Sequence, residues 1–311
     1  MDEGWDQDGY VVLAGAADAG RIAAYDAELE AARDRLLVRA PGDEYPSLAV
    51  RNTAPVAGPI DPYAICSAAR DVLLAPATVA TLTEALGAAP MLIDAAETTA
   101  GAPDPGPYRD PTYVAVSDPT ALAGAVVALE PTAVTVYLGS HRLEPGLFSG
   151  RYRHFNPERD GEGALADHRA RLTEQLAGAD AEPRRVELAP GDVLLWRGDL
   201  VHTAPEGRAL VAHLVPEHAE PGWFTYRPQR ARRAPAGDAW IASQHYDLDG
   251  GEAFEPRPGP SLEAVGEALQ AHDAVQAQDP AQPQAGPAGA APRRGGLVSS
   301  VRGLMGRRGQ R

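Results

Sequence analysis

Near Met91 the apolar pattern of this 311-residue chain changes period, and that change limits the fold more than any other feature. Before it, Ile22, Tyr25, Leu29 and Leu36 recur at helical spacing behind Asp18, a side chain suited to capping a helix start. A second helix is expected from Pro76 through Val79, Leu82 and Leu86 to Gly87, because proline fits a first turn and glycine a left-handed C-terminal position. After it come short β-prone runs at 91–93, 113–116, 134–138, 186–188, 193–196 and 210–215, divided by turn residues. Helices followed by many strands predict a mainly β sandwich or barrel with a helical layer packed on it.

Composition excludes several functions. The formal net charge is −15 and there is no lysine, so a P-loop and a Schiff-base enzyme are ruled out. The acidic balance argues against nucleic acid as a partner, since phosphate neutralisation needs a basic surface. The lone Cys66 has no disulfide mate, and the acidic start, Asp2 to Asp6, carries no apolar targeting stretch; both predict a cytoplasmic protein. No apolar run reaches transmembrane length.

The chemistry concentrates in two segments. Tyr108-Arg109-Asp110 occupies a stretch where residues 108 and 110, spaced by two on a strand, would share a face with Thr112, Val114 and Val116. Downstream, a turn at Pro190-Gly191-Asp192 leads to the strand 193–196, then to His202 and Arg208. Facial-triad oxygenases hold iron with two histidines and a carboxylate, often as a His-x-Asp pair plus a distant histidine. Every histidine lies at position 141 or later, so Tyr108 stands where that pattern needs its first ligand. On its strand Arg208 alternates with Leu210, Ala212 and Leu214, which predicts an inward guanidinium in need of an anion such as a dicarboxylate. By the same alternation His213 is expected outside the barrel. His154 and His168, in a polar stretch, are expected in solvent, and His245-Tyr246-Asp247 reads as a chance pair. Tyr137 and Trp196 read as core.

Together with Trp5 to Leu13 and the turn Gly139-Ser140-His141-Arg142, these segments resemble the phytanoyl-CoA dioxygenase family of 2-oxoglutarate-dependent oxygenases over roughly residues 5–250. The resemblance implies a double-stranded β-helix, a jelly-roll or cupin-like barrel with N-terminal helices. It implies Fe(II) bound by Asp110 and His202, 2-oxoglutarate bound by Arg208, and hydroxylation of a small or carrier-bound metabolite. The tyrosine admits two other readings: an iron-free binding or regulatory protein with a degenerate site, or a metal-free isomerase or epimerase using Tyr108 and His202.

The β domain is expected over 1–258, with 151–181 an insert at the barrel mouth that selects substrate. Residues 259–274 read as an amphipathic helix, and 275–311 as a disordered basic tail whose Leu297, Val301 and Leu304 lie among arginines and could touch an anionic surface.

Overall fold

The computed structural model describes residues 3–39, 49–51, 58–99, 106–161, 163–179 and 181–254. All fall within one unit, 1–257, and the sequence expectations for 259–274 and 275–311 lie outside the described residues.

Helices α1 (Glu3–Gln7), α2 (Ala19–Ala31), α3 (Ser67–Leu73) and α4 (Pro76–Leu86) form an N-terminal layer. The Asp18 carboxylate caps α2 by accepting from Arg21 N, and Gly87, at φ 68°, closes α4 in the left-handed region. Ile22 and Tyr25 bury the inner face of α2 against α3 and the sheet.

Among the described residues the strands are β1 (Tyr10–Leu13), β2 (Leu37–Arg39), β3 (Ala49–Arg51), β4 (Pro59–Ile60), β5 (Pro90–Thr98), β6 (Ala123–Ala128), β7 (Thr132–Tyr137), β8 (Pro183–Leu188), β9 (Val193–Arg197), β10 (Ala209–Pro216), β11 (Arg232–Ala236), β12 (Ala239–Ile241) and β13 (Glu252–Ala253). The larger sheet runs β1-β9-β6-β10-β5-β12-β11-β13, antiparallel apart from the β12–β5 pair. Strands β7 and β8 form a second sheet, widened by single bridges from Val136 to His202 and from His202 to Tyr108. This is the mainly β architecture with flanking helices expected from the sequence.

Both faces of the large sheet are covered. Leu92, Ala95, Ala125, Leu195, Leu210 and Ala212 pack toward the helices. On the other face Val126, Leu194 and Trp196 meet Val134, Val136 and Leu188 of the second sheet. Strand β6 threads between β9 and β10, and it must be small: a Cβ on Gly124 would collide with the Trp196 indole.

The chain leaves β7, forms α5 (Pro157–Asp160) and α6 (Ala164–Gly178), and returns as β8; a last short helix, α7 (Trp223–Tyr226), follows β10. Leu172 and Leu176 of α6 pack on Val201, so this segment covers the strand leading to His202. Residues 113–116 do not form the expected strand. Pro111, with its fixed φ and no N–H, stands inside a 3-10 turn at Asp110–Thr112 that ends the extended run begun at Tyr108.

Candidate functional site

Backbone pairing brings Tyr108 and His202 together: Tyr108 N donates to His202 O, and His202 N donates to Tyr108 O, each at 3.0 Å. Their rings sit 4.5 Å apart between centroids. Asp110, anchored by its N–H to Gly198 O at 3.2 Å, then turns its carboxylate inward, where it is buried.

One oxygen of that carboxylate is fully used. Trp196 Nε1 donates to Asp110 Oδ2 at 2.7 Å, so this tryptophan is both core and site. The other oxygen, Oδ1, lies 3.3 Å from His202 Nε2 and 3.2 Å from His213 Nε2. His202 Nδ1 is 3.0 Å from Leu200 O, and His213 Nδ1 is 3.0 Å from Asp94 Oδ2. A carbonyl and a carboxylate only accept, so each Nδ1 carries a hydrogen; at Nε2 a ring then either donates a second hydrogen to Oδ1 or turns a lone pair toward it. Asp110 Oδ1 and His202 Nε2 are buried without a hydrogen-bond partner. This cluster of buried nitrogen and oxygen atoms needs a cation, either an extra proton, which His213 takes up in the metal-free site, or a metal ion in its place.

The electrostatics agree. Burial alone would raise the Asp110 carboxyl, but the His202 and His213 imidazoles overcome it and hold the group well below the usual carboxylate range. Burial alone would lower His213, while Asp110 and Asp94 on either side push it up to about 10.

Two expectations are corrected here. His213 faces inward, and Arg208 does not. Leu210, Ala212 and Leu214 pack against the helices, so the face they share with Arg208 is the helix side of the sheet, away from Asp110. There Arg208 Nε donates to Glu97 Oε1 at 2.9 Å and Nη2 to Asp26 Oδ1 at 2.7 Å, with Tyr25 donating to Glu97 Oε2 at 2.7 Å. The anion that this half-buried arginine requires comes from the protein itself.

His168 also departs from expectation. It belongs to the buried stripe of α6 with Leu165, Leu172 and Leu176, and it is 5% exposed. Its ring stacks on Phe148, and burial with Arg171, Arg109 and Arg169 nearby lowers it to about 4. The spacing of Leu165, His168, Leu172 and Leu176 was a readable signal of that burial. His213 and Asp94 had a fainter one, as the polar members of two apolar runs that pair across strands. His245-Tyr246-Asp247 is no ligand pair: the Tyr246 hydroxyl accepts from Leu37 N, and Asp247 pairs with Arg230.

Among the described residues no three His, Cys, Asp or Glu side chains already stand at the spacing of a metal cage. The residues nonetheless fit a metal in their chemistry, by the two orphaned acceptors and by the carboxylate behind His213 that orients its ring. They do not fit 2-oxoglutarate at Arg208.

The family profile described as phytanoyl-CoA dioxygenase matches residues 5–209. The chain belongs to that family. Among solved structures, the family member shares its fold with SnoN, a non-heme alpha ketoglutarate dependent epimerase from nogalamycin biosynthesis. That match has a TM-score of 0.50 and 19% identity over 83% of this chain and 90% of that chain. The non-heme alpha ketoglutarate dependent carbocyclase SnoK from the same biosynthesis matches with a TM-score of 0.51 and 15% identity, over 71% of this chain and 87% of that one. No curated protein matches the sequence significantly. No helix among the described residues is long and apolar enough to cross a membrane.

Proposed function

We propose that this phytanoyl-CoA dioxygenase family member is a non-haem metal enzyme that oxidises a small or carrier-bound metabolite. Its ion would be held by Asp110 and His202, with His213 as third donor where Tyr108 supplies none. The observation behind this reading is the pair of buried, unpartnered acceptors, Asp110 Oδ1 and His202 Nε2, 3.3 Å apart. Two donors about 2.1 Å from one ion in cis positions stand about 3 Å apart, so Oδ1 needs only to swing off the imidazoles to share a cation with them. Iron at that point supplies redox chemistry.

The remaining roles fall to the chain. Trp196 fixes one carboxylate oxygen and leaves the other for the ion. The Leu200 carbonyl and the Asp94 carboxylate set the tautomers that present Nε2. Tyr108 packs beside His202 and narrows the approach to it. No step is assigned to 2-oxoglutarate, because Arg208 is engaged elsewhere.

Cobalt(II) titration of the full chain, read by visible absorption, tests the assignment. One equivalent should bind; Asp110→Asn and His202→Ala should abolish binding, and Asp94→Asn should weaken it about tenfold to a hundredfold. A wild type that takes up neither cobalt nor iron refutes the proposal in favour of an iron-free protein. An unchanged spectrum and affinity in His213→Ala would remove only the third donor.

A further inference from the structure

A second polar site lies on the far side of the segment that carries Asp110. A cavity of about 90 Å³ is lined by Arg109, Thr112, His141, Arg153, His168 and Asp199, among others. That is room for about three waters, or for one carboxylate on a short carbon stub.

Its charge is unbalanced. Arg109 is 6% exposed; its Nη1 and Nη2 donate to Glu144 O and Ser140 O, both at 3.0 Å, and its Nε is buried without an acceptor. Among the described residues no carboxylate pairs with Arg109 or Arg153. Asp199 already faces Arg197, with Nε to Oδ1 at 3.1 Å and Nη2 to Oδ2 at 3.2 Å. Elsewhere the half-buried Arg208 and the more exposed Arg185 and Arg230 meet carboxylates, while Arg70 and Arg142 are met by backbone carbonyls. What sets Arg109 apart, in a chain of net charge −15, is a nearly fully buried guanidinium with neither a carboxylate partner nor an acceptor for its Nε, a deficit that a bound anion would fill.

The neutral lining suits the same occupant. His168 Nε2 is 3.4 Å from Thr112 Oγ1, and His168 Nδ1 is buried without a partner. A hydroxyl donated to Nε2 leaves Nδ1–H as a further donor. The Asp199 carboxylate on the wall disfavours a doubly charged head group such as phosphate.

We infer that this cavity binds the carboxylate of a small organic acid between Arg109 and Arg153. The site stands apart from the metal reading, since Arg109 engages the carbonyls of Ser140 and Glu144 while Asp110 engages Trp196, His202 and His213.

The test uses EDTA-treated full chain and calorimetric titration with acetate, 2-oxoglutarate and inorganic phosphate. Acetate and 2-oxoglutarate should compete for one site per chain, and phosphate should bind more weakly than either. Arg153→Gln, a partly exposed position, should weaken both carboxylates roughly tenfold or more, the size of one charge-assisted hydrogen bond. Arg109→Lys should abolish binding, with circular dichroism confirming the fold. Asp110→Asn should leave it unchanged, which separates this site from the metal centre. Absence of saturable acetate binding, equal affinity in folded Arg153→Gln, tighter phosphate binding, or 2-oxoglutarate binding that acetate does not displace would each overturn the inference.

Discussion

Replacing Arg208 with Gln separates a structural arginine from a co-substrate anchor. The guanidinium holds Glu97 by two contacts, 2.9 Å and 3.3 Å, and the Glu97 side chain is 2% exposed. Removing the cation leaves that carboxylate buried with only the Tyr25 hydroxyl at 2.7 Å for company. Breaking a buried pair from one side costs about 3–5 kcal/mol, and the 24% exposure of Arg208 admits enough water to favour the lower end, about 3 kcal/mol. The Asp26 contact, at a 46% exposed carboxylate, adds little. For an ordered body of this size, about 3 kcal/mol lowers the melting temperature by about 6–12 °C. Urea and thermal unfolding of wild type, Arg208→Gln, Glu97→Gln and the double variant form a cycle. Glu97→Gln should cost less, because Arg208 keeps Asp26 and solvent, and the double variant should be more stable than the sum of the singles by about 2 kcal/mol. An Arg208→Gln protein within about 0.5 kcal/mol of wild type would refute the reasoning. If that variant also lost 2-oxoglutarate binding, the anchor role would be restored.

Three further outcomes follow. Tyr108→His puts an imidazole on the strand bridged to His202, and cobalt titration should show metal affinity raised by about tenfold. His168, folded at about 4 against an ordinary 6.5, keeps its neutral form in the native state while the unfolded chain takes up a proton. Stability should therefore fall as pH drops from 6.5 to about 4 and lose no more from this group below that. The loss amounts to about 3 kcal/mol, and urea midpoints of His168→Gln across that window should lack this share of the slope. Gly124→Ala drives a methyl into the Trp196 indole and should cost about 1–3 kcal/mol by chemical unfolding, while shifting the tryptophan emission as Trp196 moves off Asp110.

What the sequence made legible follows from how local each determinant is. The capping carboxylate of Asp18 and the stop at Gly87 act within a few residues, and both are found as expected. So are the strands around 134–138 and 193–196, short runs of valine, leucine and aromatic residues. Strand β6 gave no such signal, because Ala123-Gly124-Ala125 is shaped by the bulk of Trp196 on a strand about seventy residues away. Strand β11, with Arg232, Arg233 and Pro235, is extended because β12 and β13 pair with it. Asp110 and His202 are singled out only through the family resemblance; their meeting depends on a bridge between Tyr108 and His202 that the sequence does not encode locally.

The inversion of Arg208 and His213 has a more specific cause. Alternation along β10 separates two sets of residues, but when both faces of a sheet are buried it does not say which set faces which layer. The polar exceptions carry that information only in pairs: Glu97 with Arg208 on the helix side, Asp94 with His213 on the inner side. Strict alternation along β5 would also place Asp94 with Leu92 on the helix side. A bulge prevents it: His213 pairs with Asp94, Leu214 pairs with Leu92, and Ile93 is the extra residue. Leu92 and Ala95 pack with the helices while Ile93 packs on the inner face, so the bulge turns Ile93 and Asp94 inward in succession. The carboxylate that orients His213, and through it the third donor proposed for the site, is thus delivered by one irregular backbone pair between β5 and β10.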